Sequence, residues 1–114
     1  MQKAAGRIIY SATDIANFIE CTHISTLDRQ DLDTPLPRTP VDDAVELIQR
    51  KGIEHEAAYL ARVKKEKKTV IDVQAMGGDN AARAAATLKA MQNGADVIYQ
   101  ATLMNGDLLG FADL

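Results

Sequence analysis

The chain has no tryptophan, a single cysteine, three prolines and few aromatic residues. Each shortage excludes something. With aromatic residues at only 4%, stacking of bases on aromatic platforms is not a main binding device. One cysteine, Cys21, cannot form an internal disulfide, and it agrees with a reducing, cytoplasmic setting. The segment Met1–Arg7 lacks the apolar run of a signal peptide, and no stretch approaches the ~20 apolar residues of a membrane span. A net charge of −3 gives no overall attraction for nucleic acid, which leaves that question to local patches. There is no internal repeat and no low-complexity segment. What is present suffices for a core: 114 residues, 46% hydrophobic and 25% charged, the size of one domain or part of one.

The spacing of apolar residues and caps predicts an α/β pattern. Ser11-Ala-Thr-Asp14 reads as a capping box, opening a short helix from Ala12 to about Cys21, with a further turn toward Leu27. Residues 31–38 hold Pro35 and Pro37 and read as loop. Thr39 is the expected N-cap of a second, long helix, with Pro40 at its first position and its end near Lys67. Its stripe runs Val41, Val45, Ile48, Gly52, His55, Tyr59, Val63 at spacings of three and four. His55 therefore points where the apolar residues point, and Gly52 permits close approach by a neighbour. Thr69–Gln74 reads as a strand. Gly77-Gly78-Asp79 caps a third helix, Asn80 to Gln92, stopped by Gly94. The expected order is α-α-β-α-β-β.

The end of the chain reads as a β-hairpin. Asn105-Gly106 is a strong two-residue turn signal. That loop sets Met104 against Asp107 and Ile98 against Asp113, and it makes Gln100 and Asp113 diagonal neighbours about 7 Å apart. On this register Asp113 lies beside Ile98 and Phe111, where a carboxylate needs a cation, a hydrogen-bond donor or an open cleft. A hairpin ending on Ala112-Asp113-Leu114, with no polar tail, reads as the N-terminal piece of a longer protein. Its unpaired edge is a surface for self-association.

Four segments then carry a resemblance: Ser11-Ala-Thr-Asp-Ile-Ala-Asn-Phe-Ile-Glu-Cys21, Gly52-Ile-Glu-His55-Glu56-Ala-Ala-Tyr-Leu60, Gly94-Ala-Asp-Val-Ile-Tyr-Gln100 and Gly110-Phe-Ala-Asp113-Leu114. Together they resemble the RecB-like nucleases, and more closely a subgroup that often precedes a ribonuclease-H-like or helicase region. The resemblance spans nearly the whole chain. It implies a partial restriction-endonuclease-like fold of the PD-(D/E)xK type, with residues 1–114 as the N-terminal part of a single nuclease domain that ends before its acid-x-Lys strand. It implies a metal-dependent nuclease, exonucleolytic on DNA with RNA not excluded, in which His55 and Asp113 are catalytic metal ligands for Mg²⁺ or Mn²⁺. The missing acid would complete the metal site, and the missing lysine would orient water and offset transition-state charge. In iron–sulfur members an early cysteine joins three late ones around a [4Fe–4S] cluster, and Cys21 stands where that early cysteine would be.

Plainer readings stand beside these. A histidine on an apolar stripe is commonly a core residue, and an acid in a strand can be an edge charge that blocks aggregation. Glu56 is either a partner behind the metal site or a solvated helix acid. Gln100 either positions phosphate or water, or is a half-buried strand amide. Lys64, Lys65, Lys67 and Lys68 are either sequence-independent phosphate contacts or cations favoured by a helix C-terminus. Cys21 without its late partners is a free buried thiol. As a whole, the alternative to the nuclease is a non-catalytic α/β module that docks a protein or nucleic acid.

Overall fold

The computed structural model describes all 114 residues, Met1–Leu114. The fold is mixed α/β and ends in an antiparallel hairpin. In chain order the elements are β1 (Gln2–Ala4), β2 (Arg7–Ile9), α1 (Ala12–Glu20), α2 (Thr22–Asp31), α3 (Asp43–Lys65), β3 (Val70–Asp72), a 3₁₀ turn (Gln74–Met76), α4 (Asn80–Gln92), β4 (Val97–Tyr99), β5 (Ala101–Asn105) and β6 (Leu108–Ala112). The six strands form three two-stranded sheets: β1–β2, β3–β4 and β5–β6. No helix is long and apolar enough to cross a membrane. The chain divides into two compact units, Met1–Arg38 with Leu103–Gly110, and Thr39–Thr102 with Phe111–Leu114.

In the first unit, β1 and β2 form a hairpin that the sequence did not announce. Its loop, Ala5-Gly6, has positive φ at both residues (49° and 76°), the I′ pattern that usually recruits Asn or Asp at the first place. The capping box of α1 is as expected. Ser11 Oγ accepts from the Asp14 backbone N–H at 3.2 Å, and Asp14 Oδ2 accepts from the Ser11 N–H at 2.6 Å. Asp14 is buried and also accepts from the Met1 ammonium at 2.9 Å. The further turn expected beyond Cys21 is a separate ten-residue helix, α2. The break falls at Cys21, whose extended backbone (φ −157°, ψ 107°) ends α1 and starts α2. The tip of the β5–β6 hairpin joins β2: the Tyr10 N–H donates to the Asp107 carbonyl at 2.8 Å, and the Leu109 N–H donates to the Tyr10 carbonyl at 2.9 Å. Arg7 pairs with Asp107.

The second unit is built on α3, α4 and the parallel pair β3–β4, in register Val70↔Val97, Ile71↔Ile98 and Asp72↔Tyr99. The long helix starts later than expected. Its N-cap is Asp42, whose carboxylate accepts from the Ala44 N–H at 2.8 Å, so Thr39 and Pro40 precede the helix. A carboxylate at the N-cap faces the positive end of the helix dipole as well as an orphan N–H, an advantage over a threonine hydroxyl. The predicted bounds of α4 hold: Asp79 caps its start, accepting from Ala82 N–H at 2.8 Å, and Gly94 (φ 72°) follows its end. Val63, Val73, Ala90 and Ala101 are buried here, together with Thr87 and Thr102. The Thr87 hydroxyl donates to the Arg83 carbonyl at 2.9 Å and accepts from the Thr102 N–H at 3.0 Å, so it satisfies a buried strand donor from a helix.

Two expectations about the hairpin change. The predicted single strand from Asp96 onward is two strands, because Gln100 adopts φ 52° and turns the backbone between β4 and β5. The loop is Gly106-Asp107 rather than Asn105-Gly106. Only Gly106 has positive φ (59°), the type II′ pattern with glycine at the first loop position. The Gln100 N–H donates to the Asp113 carbonyl at 3.0 Å, so Gln100, not Ile98, lies opposite Asp113. The slip is two residues along the partner, which preserves the faces and changes the neighbours.

Candidate functional site

The site lies in the second unit, along α3. Gln49, Gly52, Ile53, His55, Glu56, Tyr59, Asp113 and Leu114 line an open groove of about 590 Å³. His55 and Asp113, paired by the sequence from opposite ends of this unit, thus face the same space. His55 is exposed, as is most of the expected stripe: of its apolar members only Val63 is buried. The reading of that stripe as a core seam is corrected here. Gly52 is corrected too, since a Cβ placed on it would meet nothing within 4 Å.

Beside the groove, Gln100 organises two acids. Its Nε2 donates to Glu56 Oε1 at 2.7 Å and to Asp113 Oδ1 at 3.3 Å. Glu56 is half-buried and so is more than a solvated helix acid, while Asp113 is exposed and has no desolvation cost to offset. Tyr99 joins this group. Hydrogen bonding to Glu56 raises the Tyr99 hydroxyl above the usual phenol value, with desolvation and the charges of Glu56 and Asp72 acting the same way and Gln100 opposing. Strand alternation points adjacent residues to opposite faces, which excluded Tyr99 from the expected site. The φ of 52° at Gln100 breaks that alternation, and the Gln100 amide reaches Glu56. Nothing in the local sequence signals this turn.

No three His, Cys, Asp or Glu side chains converge as a metal-holding set. The donors on the groove wall are the His55 imidazole and the Glu56 and Asp113 carboxylates, each acid also accepting from Gln100. An ion held by so few protein donors would have to keep several waters, as Mg²⁺ does. Cys21 is exposed, which corrects the reading as a buried thiol.

Lys64, Lys65, Lys67 and Lys68 are all exposed at the end of α3. Lys68 pairs with Glu66 at 3.0 Å, whereas Lys64, Lys65 and Lys67 have no ion-pair partner. Arg62 lies over the Tyr59 ring, 4.7 Å from its centroid, a cation–π contact. The one acid-x-Lys spacing in the chain is Glu66-Lys67-Lys68. It sits at the helix end, with acid and lysine neutralising each other. Comparison with protein-family models, curated proteins and solved structures finds no match for this chain.

Proposed function

We propose that this chain is the N-terminal portion of a RecB-like, divalent-metal-dependent nuclease domain that hydrolyses DNA phosphodiester bonds. The observation that supports it is the meeting of His55 and Asp113 in one groove, with Gln100 holding Asp113 and Glu56 in place. His55 and Asp113 would hold the cation. When bound, the cation would polarise a phosphodiester oxygen and lower the pKa of a bound water. Glu56 and Gln100 position Asp113. The unpaired Lys64, Lys65 and Lys67 suit phosphates of a backbone approaching along α3. The acid-x-Lys pair that the RecB-like resemblance calls for is not among the groove residues.

Calorimetric titration with Mn²⁺ tests the reading. One ion is expected to bind, with His55→Ala and Asp113→Asn each weakening it about tenfold or more, a loss of roughly 1.4 kcal/mol. Equal affinity in both variants overturns the assignment. The 114 residues alone are expected to cleave no DNA with Mg²⁺ or Mn²⁺. Metal-dependent cleavage abolished by His55→Ala would show instead that the site is complete within them.

A further inference from the structure

Helix α3 carries an exposed stripe at heptad spacing. Val45, Ile48, Gly52, His55, Tyr59 and Arg62 follow one another at spacings of three and four, and none is buried. Ile48 is 71% and Val45 46% exposed. Such a stripe, with Val45, Ile48 and Tyr59 as its large apolar members, can seat one straight partner helix. The helix has 23 residues and is therefore about 35 Å long, enough for a partner of the same length.

The seam is self-complementary when the partner runs the other way. Antiparallel pairing sets first-type heptad positions against fourth-type ones. A single register then aligns Val45 with the partner's Arg62, Ile48 with the partner's Tyr59, and Gly52 with the partner's His55. The central layer sets the smallest residue against an imidazole, and a Cβ-free Gly52 with nothing within 4 Å leaves room for the ring. The ends are complementary in charge. Asp42, Asp43 and Glu46 lie at the start of α3, and Arg62, Lys64 and Lys65 in its last turn. Antiparallel pairing brings each acidic end beside a basic end, and opposes the two helix dipoles favourably. Parallel pairing would place like charges together.

We infer that α3 is an interface for a second copy of this chain, forming a two-fold antiparallel helix pair through the Val45–Arg62 seam. The inference does not rest on the nuclease reading. Because pairing covers His55, a dimer and an occupied groove are competing states of one face.

Sedimentation equilibrium over a concentration series tests the pairing. A monomer–dimer equilibrium is expected that weakens with added salt. Ile48→Asp should raise the dissociation constant at least about 100-fold, because the substitution counts twice in a two-fold dimer. Far-UV circular dichroism should show Ile48→Asp folded, since the side chain it replaces is exposed. A cross-linking arm in a Cys21→Ser background fixes the alignment. A mixture of Ile48→Cys and Tyr59→Cys chains should form an intermolecular disulfide, and neither chain alone should, because a disulfide needs Cα atoms within about 7 Å. A monomer at every concentration, a dimer indifferent to Ile48→Asp, or self-cross-linking of Ile48→Cys alone overturns the inference. Loss of Mn²⁺ binding in the groove, by contrast, would leave it standing.

Discussion

Gln100 and Glu56 are joined by a hydrogen bond of 2.7 Å across 44 positions of the chain. The bond ties the end of a strand to the middle of the longest helix, and the same amide nitrogen also reaches Asp113. Gln100 makes these contacts from φ 52°, a conformation that costs a non-glycine residue of order 1 kcal/mol and persists only where its surroundings hold it. Replacing Gln100 therefore separates two effects. Gln100→Ala keeps the strain and loses the donor to the half-buried Glu56 and the exposed Asp113, an expected loss of about 1 kcal/mol in urea unfolding. Gln100→Gly loses the donor and relieves the strain, and should be about 1 kcal/mol more stable than the alanine variant. Equal stability of the two would show that the backbone relaxes out of the positive region.

Thr87 offers a second, independent test, because its hydroxyl is buried and doubly used. Thr87→Val has nearly the same shape but leaves the Thr102 N–H without an acceptor. A buried unpaired donor costs about 1–3 kcal/mol. Thr87→Ser keeps the acceptor and gives up one methyl group, about 1 kcal/mol. Chemical denaturation should rank wild type above serine and serine above valine; valine matching wild type would show that the strand N–H finds another partner.

Acid stability should report on Asp14. Burial raises its carboxyl, but the Met1 ammonium together with the amide and hydroxyl of Ser11 outweighs burial and holds it below the ordinary value of 3.8. A group depressed in the folded state adds stability that is present above its unfolded pKa and is lost as pH falls through the folded one. Asp14→Asn should therefore lower stability at neutral pH and flatten the fall in stability below pH 3.8. Unfolding midpoints measured from pH 7 down to about pH 2 check this, and an unchanged acid slope would refute it.

The parts of the fold that could be read in the sequence are those set by local chemistry. Asp79 and Gly94 bracket α4 because an acceptor at one end and a left-handed residue at the other are short-range requirements. The same holds for Ser11 and Asp14. The start of α3 was misplaced because Thr39-Pro40 and Asp42 are both good openings and only the folded chain chooses between them. The hairpin loop was misplaced because Gly106 serves either as second residue of a I′ turn or first of a II′ turn. His55 and Asp113, which the resemblance singles out, line one groove in the fold. The middle of the site was not readable in the sequence. Gln100 reaches Glu56 and Asp113 from a glycine-like conformation, which tertiary contacts impose and composition does not reveal.

The parallel pair β3–β4 sets an order of events during folding. Thr69 and Asp96, whose hydrogen bond closes one end of that pair, are 27 positions apart, and all of α4 lies between them. A chain that searched for this pairing while the intervening segment was slack would lose the entropy of the full loop. A helix of six alanines in thirteen residues forms on a sub-microsecond to microsecond scale. Once formed, it shortens the search to two short connectors. A chain in which α4 forms first would assemble this crossover from its middle outward, with the parallel pairing of β3 and β4 closing last.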